Sequence, residues 1–213
     1  MNNNQIKIGR IVLPDMGTNC YFVYRDGQKS CIVVDPGQDG ADIAAKLEHA
    51  GLSVAAILLT HGHFDHICGV KELKQKSDAP IYALEQEKEL LQDANKNLSA
   101  RYVGAYTLDA DVFLQDGEVV EIADMSLRVI ALPGHTVGGA CFYIEEAAFL
   151  LSGDSLFHES IGRTDHPTGN TKQLVDAIQS RLFTLPEETK VYSGHGTQTT
   201  IGHEKRNNPF CAL

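Results

Sequence analysis

Between Leu58 and Gly69 the chain reads LLTHGHFDHICG, which places His61, His63, Asp65 and His66 within six positions, directly after an apolar run. Imidazoles and carboxylates at this density are ligands for a divalent cation. Three later apolar runs end alike: RVIALPGHT delivers His135, AAFLLSGDS delivers Asp154 and KVYSGHGTQ delivers His195, each just past a glycine that lets the backbone turn sharply. Seven candidate ligands exceed the three protein ligands and one water of an ordinary catalytic zinc. A pair of cations uses them better. In an extended loop His61 and His63 point the same way and grip one ion, completed by His135. Asp65 and His66 face elsewhere at the start of the next helix and hold a second ion with His195. Asp154 has two oxygens and bridges ions that such sites keep ~3.5–4 Å apart. Asp65 and Asp154 are the carboxylates assigned to catalysis as well as to the metals. With no thiolate in the set, zinc is the first choice and iron or manganese also suits the donors.

For these groups to meet, several strands must deliver them to one edge. CYFVYRDGQKSCIVVDPG is two runs around Asp26-Gly27, a dipeptide that favours a tight hairpin. DGADIAAKLEHAG reads as a helix capped by Asp39 or Asp42, with Ile43 and Leu47 on one face and Gly51 ending it. VAAILLT is a strand, EQEKELLQDANKNL (85–98) a helix, and residues 112–132 a strand-turn-strand unit. GACFYIEE, AAFLLSGD and KVYSGHG are further strands, and a helix near 171–183 carries Leu174, Ile178 and Leu182 on one stripe. Two β-rich halves, each with helices, predict an α+β chain in which sheet packs on sheet with helices outside.

Bulk properties narrow the function classes. A chain of 213 residues buries one sizeable core, so a single domain over 1–213 is expected. Eighteen Lys plus Arg against 28 Asp plus Glu give a net charge of -10, which repels a nucleic-acid backbone. The start, MNNNQIKIGR, has no apolar leader, and no run approaches the ~18 apolar residues of a membrane helix. Five scattered cysteines (Cys20, Cys31, Cys68, Cys141, Cys211) show no disulfide-like spacing and suggest a reducing cytoplasm. Cys68 reads as a small buried thiol, and His158 and His166 as solvated loop residues. Oligomeric state is left open.

THGHFDH resembles the T-H-x-H-x-D-H signature of the metallo-β-lactamase superfamily. His135, Asp154 and His195 stand in PGHT, SGDSLF and SGHG contexts similar to those of its glyoxalase II-like branch, and GTNCYFV, VVDPG and NNPF extend the resemblance over nearly the whole chain. The resemblance implies an αββα sandwich of two mixed β-sheets, helices on the outer faces, and a dinuclear site at one edge. It also implies that Asp35 of VVDPG orients the histidine loop.

The hydroxyacylglutathione hydrolases carry an extra C-terminal helical domain for which this chain has no room. FHESIGRTDHPTGN instead resembles the single-domain bacterial glyoxalase II-like hydrolases, with Arg163 where the longer enzymes have a lysine near the substrate. There Arg163 forks onto a substrate carboxylate or, in the structural alternative, pairs with Asp165. The implied reaction is hydrolysis of a small hydroxyacyl-thiol thioester by a metal-bridging hydroxide, since two cations bring the pKa of water from ~15.7 towards roughly 7. A thiol, of pKa near ~8.5, leaves readily. The alternatives are a mononuclear iron persulfide dioxygenase using part of the same ligands, and a lactonase or other hydrolase of the same fold.

Overall fold

The computed structural model describes residues 4–213, and among these the strands form two six-stranded sheets and one short hairpin. The first sheet holds β1 (Ile6–Val12), β2 (Asn19–Arg25), β3 (Ser30–Val34), β4 (Ser53–Leu58), β5 (Ile81–Leu84) and β6 (Val112–Leu114) in that spatial order. It is antiparallel as far as β3 and parallel beyond. The second sheet begins with β7 (Val119–Ile122), β8 (Met125–Ala131), β9 (Ala140–Ile144) and β10 (Phe149–Gly153). After a separate hairpin of β11 (Leu156–Phe157) and β12 (Ser160–Ile161), it is completed by β13 (Lys190–Ser193) and β14 (Thr199–Thr200) in the order β14-β13-β10-β9-β8-β7. The helices are α1 (Gly40–His49), α2 (Phe64–Ile67), α3 (Val70–Ser77), α4 (Lys88–Leu91), α5 (Ser99–Tyr102), α6 (Thr171–Ala177, prolonged by a π turn to Leu182) and α7 (Ile201–Asn207). No helix among the described residues is long and apolar enough to cross a membrane.

Strand alternation builds the layers, because successive side chains leave a strand on opposite faces. Val23, Ile32, Val34 and Leu58 turn inward to meet Val129 and Phe142 of the other sheet. Their neighbours Cys31, Val33 and Ile57 turn outward and are covered by Ile43 and Leu47 of α1 and by Leu73 of α3. On the second sheet Cys141, Tyr143 and Leu150 are covered in the same way by Leu174, Ile178 and Leu182. The result is the αββα sandwich of two mixed sheets that the sequence implied. Both faces of the central strands are buried, so these strands read as continuous apolar runs.

Three local expectations fail. The helix expected over 85–98 stops at Leu91: the Asp93 carboxylate accepts the backbone N–H groups of Asn95 and Lys96, a local turn that outcompetes the helix. Residues 112–132 do not form one strand-turn-strand unit. β6 belongs to the first sheet and β7 to the second, with Asp116-Gly117 carrying the chain between them. The hairpin is β7–β8, and its two-residue turn is Ala123-Asp124, both left-handed at φ 52° and 58°, which matches the twist of a tight hairpin. Asp39 does occupy the N-cap position of α1, but its side chain makes no capping bond. By contrast Asn170 caps α6, accepting from Gln173 N at 3.0 Å.

Topology then sets the site. β3 and β4 run parallel, and so do β10 and β13, while β8 and β10 are both antiparallel to β9 and thus run alike. Their carboxyl ends open on one edge of the sandwich. Asp35 follows β3, His61 lies just past β4, His135 past β8, Asp154 follows β10 and His195 lies past β13.

Candidate metal centre

The seven donors separate into two facing clusters. After β4 the chain stays extended through His63 (φ −64°, ψ 148°), then turns into α2 with Asp65 and His66 in its first turn. His63 Nδ1 lies 2.9 Å from His135 Nε2, which lies 3.3 Å from His61 Nε2. All three rings are buried. In the second cluster Asp65 Oδ2 is 3.2 Å from His195 Nε2 and 3.6 Å from His66 Nε2. Asp154 stands between the two. Its Oδ1 is 3.4 Å from His66 Nε2, and its Oδ2 is 3.5 Å from His195 Nε2 and 3.7 Å from His135 Nε2.

The bonds behind the rings fix which nitrogen is free. Thr60 Oγ1 donates to Asp35 Oδ2, so its remaining capacity is to accept from His61 Nδ1 at 3.2 Å. Asp35 Oδ2 also accepts from His66 Nδ1 at 3.0 Å, and the Arg163 carbonyl accepts from His135 Nδ1 at 2.6 Å. Each of these three imidazoles therefore carries its proton on Nδ1 and turns a lone pair on Nε2 into the centre. Asp35 donor atoms also lie near His61 and His66. Both its oxygens are taken by Thr60 and His66, however, so Asp35 orients rather than ligates.

Lone pairs turned on one another are unfavourable unless a cation lies between them. His66 Nε2 and Asp154 Oδ1 are buried and have no hydrogen-bond partner among the described residues, a cost that a native interior seldom tolerates. The donor set fits divalent cations in chemistry, count and orientation.

Electrostatics divide the clusters. Burial, reinforced by its neighbouring histidines, holds His61 well below the usual imidazole range. Burial likewise brings His63 down to about 3 and lowers His135 despite the nearby Asp154. At His66 burial is outweighed by Asp154, Asp65 and Asp35, and the ring is raised. At His195 burial yields to the bond with Asp65 and the charge of Asp154, again raising the ring. The upward push of burial on the two carboxylates is overcome by His66 and His195 at Asp65, which falls below the carboxylate range. At Asp154 it is overcome by His66, His135 and His195, and the group falls to about 2. One cluster is thus held as neutral imidazole, and in the other the carboxylates raise the affinity of the His66 and His195 rings for positive charge, which a metal ion supplies.

Glu87 and Thr18 escaped the sequence reading. Glu87 is 1% exposed and joins the two ligand loops: Oε1 accepts from Gly62 N and Oε2 from Gly138 N, both at 2.8 Å. Burial pushes its carboxyl up to about 7 against the pull of those N–H groups. No motif marks it, since it lies among charged residues that read as a solvated helix. Thr18 donates to Asp65 Oδ2 at 3.0 Å. His166, expected in solvent, packs edge-on against the His63 ring with centroids 5.5 Å apart. Arg163 forms a bidentate pair with Asp165 at 3.0 and 2.8 Å, and the two side chains are 67% and 66% exposed. Cys68 is half-buried, not fully buried, and lines a largely apolar cavity of about 230 Å³ with Leu13, Met16, Phe64 and Tyr102, which reaches Asp65.

The family model of the metallo-beta-lactamase superfamily matches residues 13–195. Among characterised and inferred relatives, the probable metallo-hydrolase YqgX of Bacillus subtilis is 38% identical over 207 residues, 96% of this chain and 97% of that one. The hydroxyacylglutathione hydrolase GloC of Haemophilus influenzae is 34% identical over 196 residues, 90% of this chain and 92% of that one. The crystal structure of BLEG-1 B3 metallo-beta-lactamase superposes with a TM-score of 0.92 at 37% identity, covering 97% of this chain and all of that one (100%).

Proposed function

The chain belongs to the metallo-beta-lactamase superfamily and is a metal-dependent hydrolase of that fold; from that premise we propose that it cleaves hydroxyacyl-thiol thioesters at a pair of divalent cations. The observation that carries the reading is the division of seven donors into two clusters with Asp154 reaching both. His61, His63 and His135 would hold one ion, Asp65, His66 and His195 the other, with Asp154 shared. Zinc is the proposed metal, and iron and manganese suit the same donors. A cation pair bound there supplies Lewis acidity at the scissile carbonyl and an ionised water at neutral pH.

The protein's own part is to orient and to select. Asp35, Thr60 and the Arg163 carbonyl fix the imidazole tautomers, and Thr18 steadies the Asp65 carboxylate. Asp65 and Asp154 remain ionised and keep their charge directed at the reacting region. The apolar cavity beside Asp65 suits a carbon chain. On the other flank, next to His63, the loop of Arg163 and His166 offers a guanidinium whose exposed partner Asp165 a substrate carboxylate can displace. The likeness to a hydroxyacylglutathione hydrolase supports a thioester. Five free cysteines fit a reducing compartment, and the acidic balance disfavours a nucleic-acid partner.

The likeness to BLEG-1 favours a second reading, β-lactam hydrolysis at the same centre. One panel separates the two. The metal-loaded protein is assayed on a hydroxyacyl thioester, a lactone, a β-lactam and a persulfide with oxygen uptake recorded. The thioester is expected to give the highest kcat/KM. A faster β-lactam, or persulfide-dependent oxygen consumption at one iron per chain, would overturn the proposal.

A further inference from the structure

Away from the central site, three metal-capable side chains meet where the tip of the β11–β12 hairpin touches α7. The rings of His158 and His203 stack with centroids 5.0 Å apart and planes 14° apart. Glu159 Oε1 lies 3.0 Å from His203 Nε2 and 3.9 Å from His158 Nε2. All three donor atoms fall within 4.8 Å of one another. His158 and His203 also line a surface cavity of about 310 Å³, whose wall includes Gln198, Thr199 and Lys190. The Lys190 ammonium sits 5.8 Å from the Phe149 ring centroid.

The cluster is held in place from behind. Glu159 adopts a left-handed backbone, φ 53°, which a side chain bearing Cβ takes only when the surroundings enforce it. The enforcing group is Glu204, which is fully buried. Its carboxylate accepts from Glu159 N at 2.9 Å, from Asn208 Nδ2 at 2.8 Å and from the Thr199 hydroxyl. A buried, hydrogen-bonded side chain therefore fixes the hairpin tip so that the Glu159 carboxylate turns towards His203.

We propose that His158, Glu159 and His203 form a third cation site, taking Zn²⁺ or Cu²⁺ with water completing the coordination. Two imidazoles and one carboxylate with an open position are a common zinc set, and the same donors bind Cu²⁺ more tightly. The ion replaces the proton that His203 Nε2 shares with Glu159. In the neutral ring that proton passes to Nδ1, so the imidazole keeps its one hydrogen and Nε2 offers a lone pair to the ion. The site ties the hairpin that follows Asp154 to α7, and the hairpin carries Phe157, whose ring lies 6.3 Å from that of His195. A cation here braces one wall of the central site whatever reaction occurs there.

The test counts metal. Native protein equilibrated with Zn²⁺ and analysed for zinc is expected to hold one equivalent more than the Glu159→Gly and His203→Ala variants. Each variant is expected to bind that equivalent about tenfold more weakly or worse. Glycine adopts the left-handed backbone freely, so loss of binding in Glu159→Gly is not loss of fold. Cu²⁺ added to zinc-loaded protein, with central zinc retained, is expected to give an electron paramagnetic resonance spectrum with two nitrogen ligands. Equal zinc content in native protein and both variants, or a copper spectrum without nitrogen coupling, overturns the proposal. Because the count is a difference between proteins, it stands apart from whether the central site holds one ion or two.

Discussion

Asp35 Oδ2 lies 3.0 Å behind His66 Nδ1 and takes the Thr60 hydroxyl on the same oxygen, so one buried carboxylate sets the orientation of a ring on one ligand loop and anchors the residue before another ligand. Asparagine tolerates the left-handed backbone found here, φ 53°, but cannot satisfy both neighbours. With its amide nitrogen towards His66 it drives the ring proton to Nε2, and with the nitrogen towards Thr60 it opposes a backbone N–H. Asp35→Asn is therefore expected to keep the fold and weaken metal binding at the His66 cluster by about 10–100-fold, measured by competition with a chelator. Unchanged affinity would refute the orienting role.

Gly194 makes room for the shared carboxylate. A Cβ built there would lie 2.2 Å from Asp154 Oδ1 and 2.7 Å from His66 Cε1. The Gly194 backbone is not left-handed, so alanine meets a collision and no conformational penalty. Gly194→Ala should leave the circular dichroism spectrum intact while activity falls about 100-fold, the scale of a displacement near 1 Å in a reacting site. A variant with native turnover would show that Asp154 does not need its observed place.

Glu87 makes a pH-dependent prediction. Its carboxyl is raised from the ordinary 4.5 to about 7 by burial, so between those values the folded chain keeps a proton that the unfolded chain has released. The stability this contributes is complete below the window and is lost as pH climbs through it. Glu87→Gln has no such titration, and its amide leaves one of the two loop N–H groups unpaired, at a cost of ~1–3 kcal/mol. With metals removed from both proteins, the difference in denaturant midpoint should narrow between about pH 5 and pH 8. A gap that is constant or widens would contradict the assignment.

What could be read from the sequence was what is local. Each ligand follows an apolar run and a turn, and strand-end delivery is visible because the run, the glycine and the ligand are neighbours in the chain. The two-sheet architecture was legible for a related reason: strands buried on both faces, such as Ala140–Ile144, leave long apolar signatures. Glu87 was not legible, because its meaning lies in Gly62 and Gly138, which are 25 and 51 residues away. The strand Val112–Leu114 reads as half of a hairpin because Asp116-Gly117 has the residues of a tight turn, yet that dipeptide joins two sheets. His166 reads as a solvated residue because nothing near it in sequence shows that its loop folds back over His63. In each case a long-range partner overrode the local pattern.

Arg163 contributes to the site twice, through groups that mutation can separate. Its carbonyl accepts the His135 Nδ1 proton at 2.6 Å, a bond that any residue at this position can make. Its guanidinium faces solvent and among the described residues is engaged only by Asp165, an exposed pair worth little to stability. Arg163→Ala should therefore keep metal content and thermal midpoint. If the guanidinium binds a substrate carboxylate, KM for a carboxylate-bearing thioester should rise by roughly 10-fold, as expected for loss of one charge-assisted hydrogen-bonded contact of ~1.5–3 kcal/mol. A neutral thioester of the same acyl group should be turned over as before. Parallel loss on both substrates would mean that the side chain acts through the loop and not on the substrate, and no loss on either would confine Arg163 to its pair with Asp165.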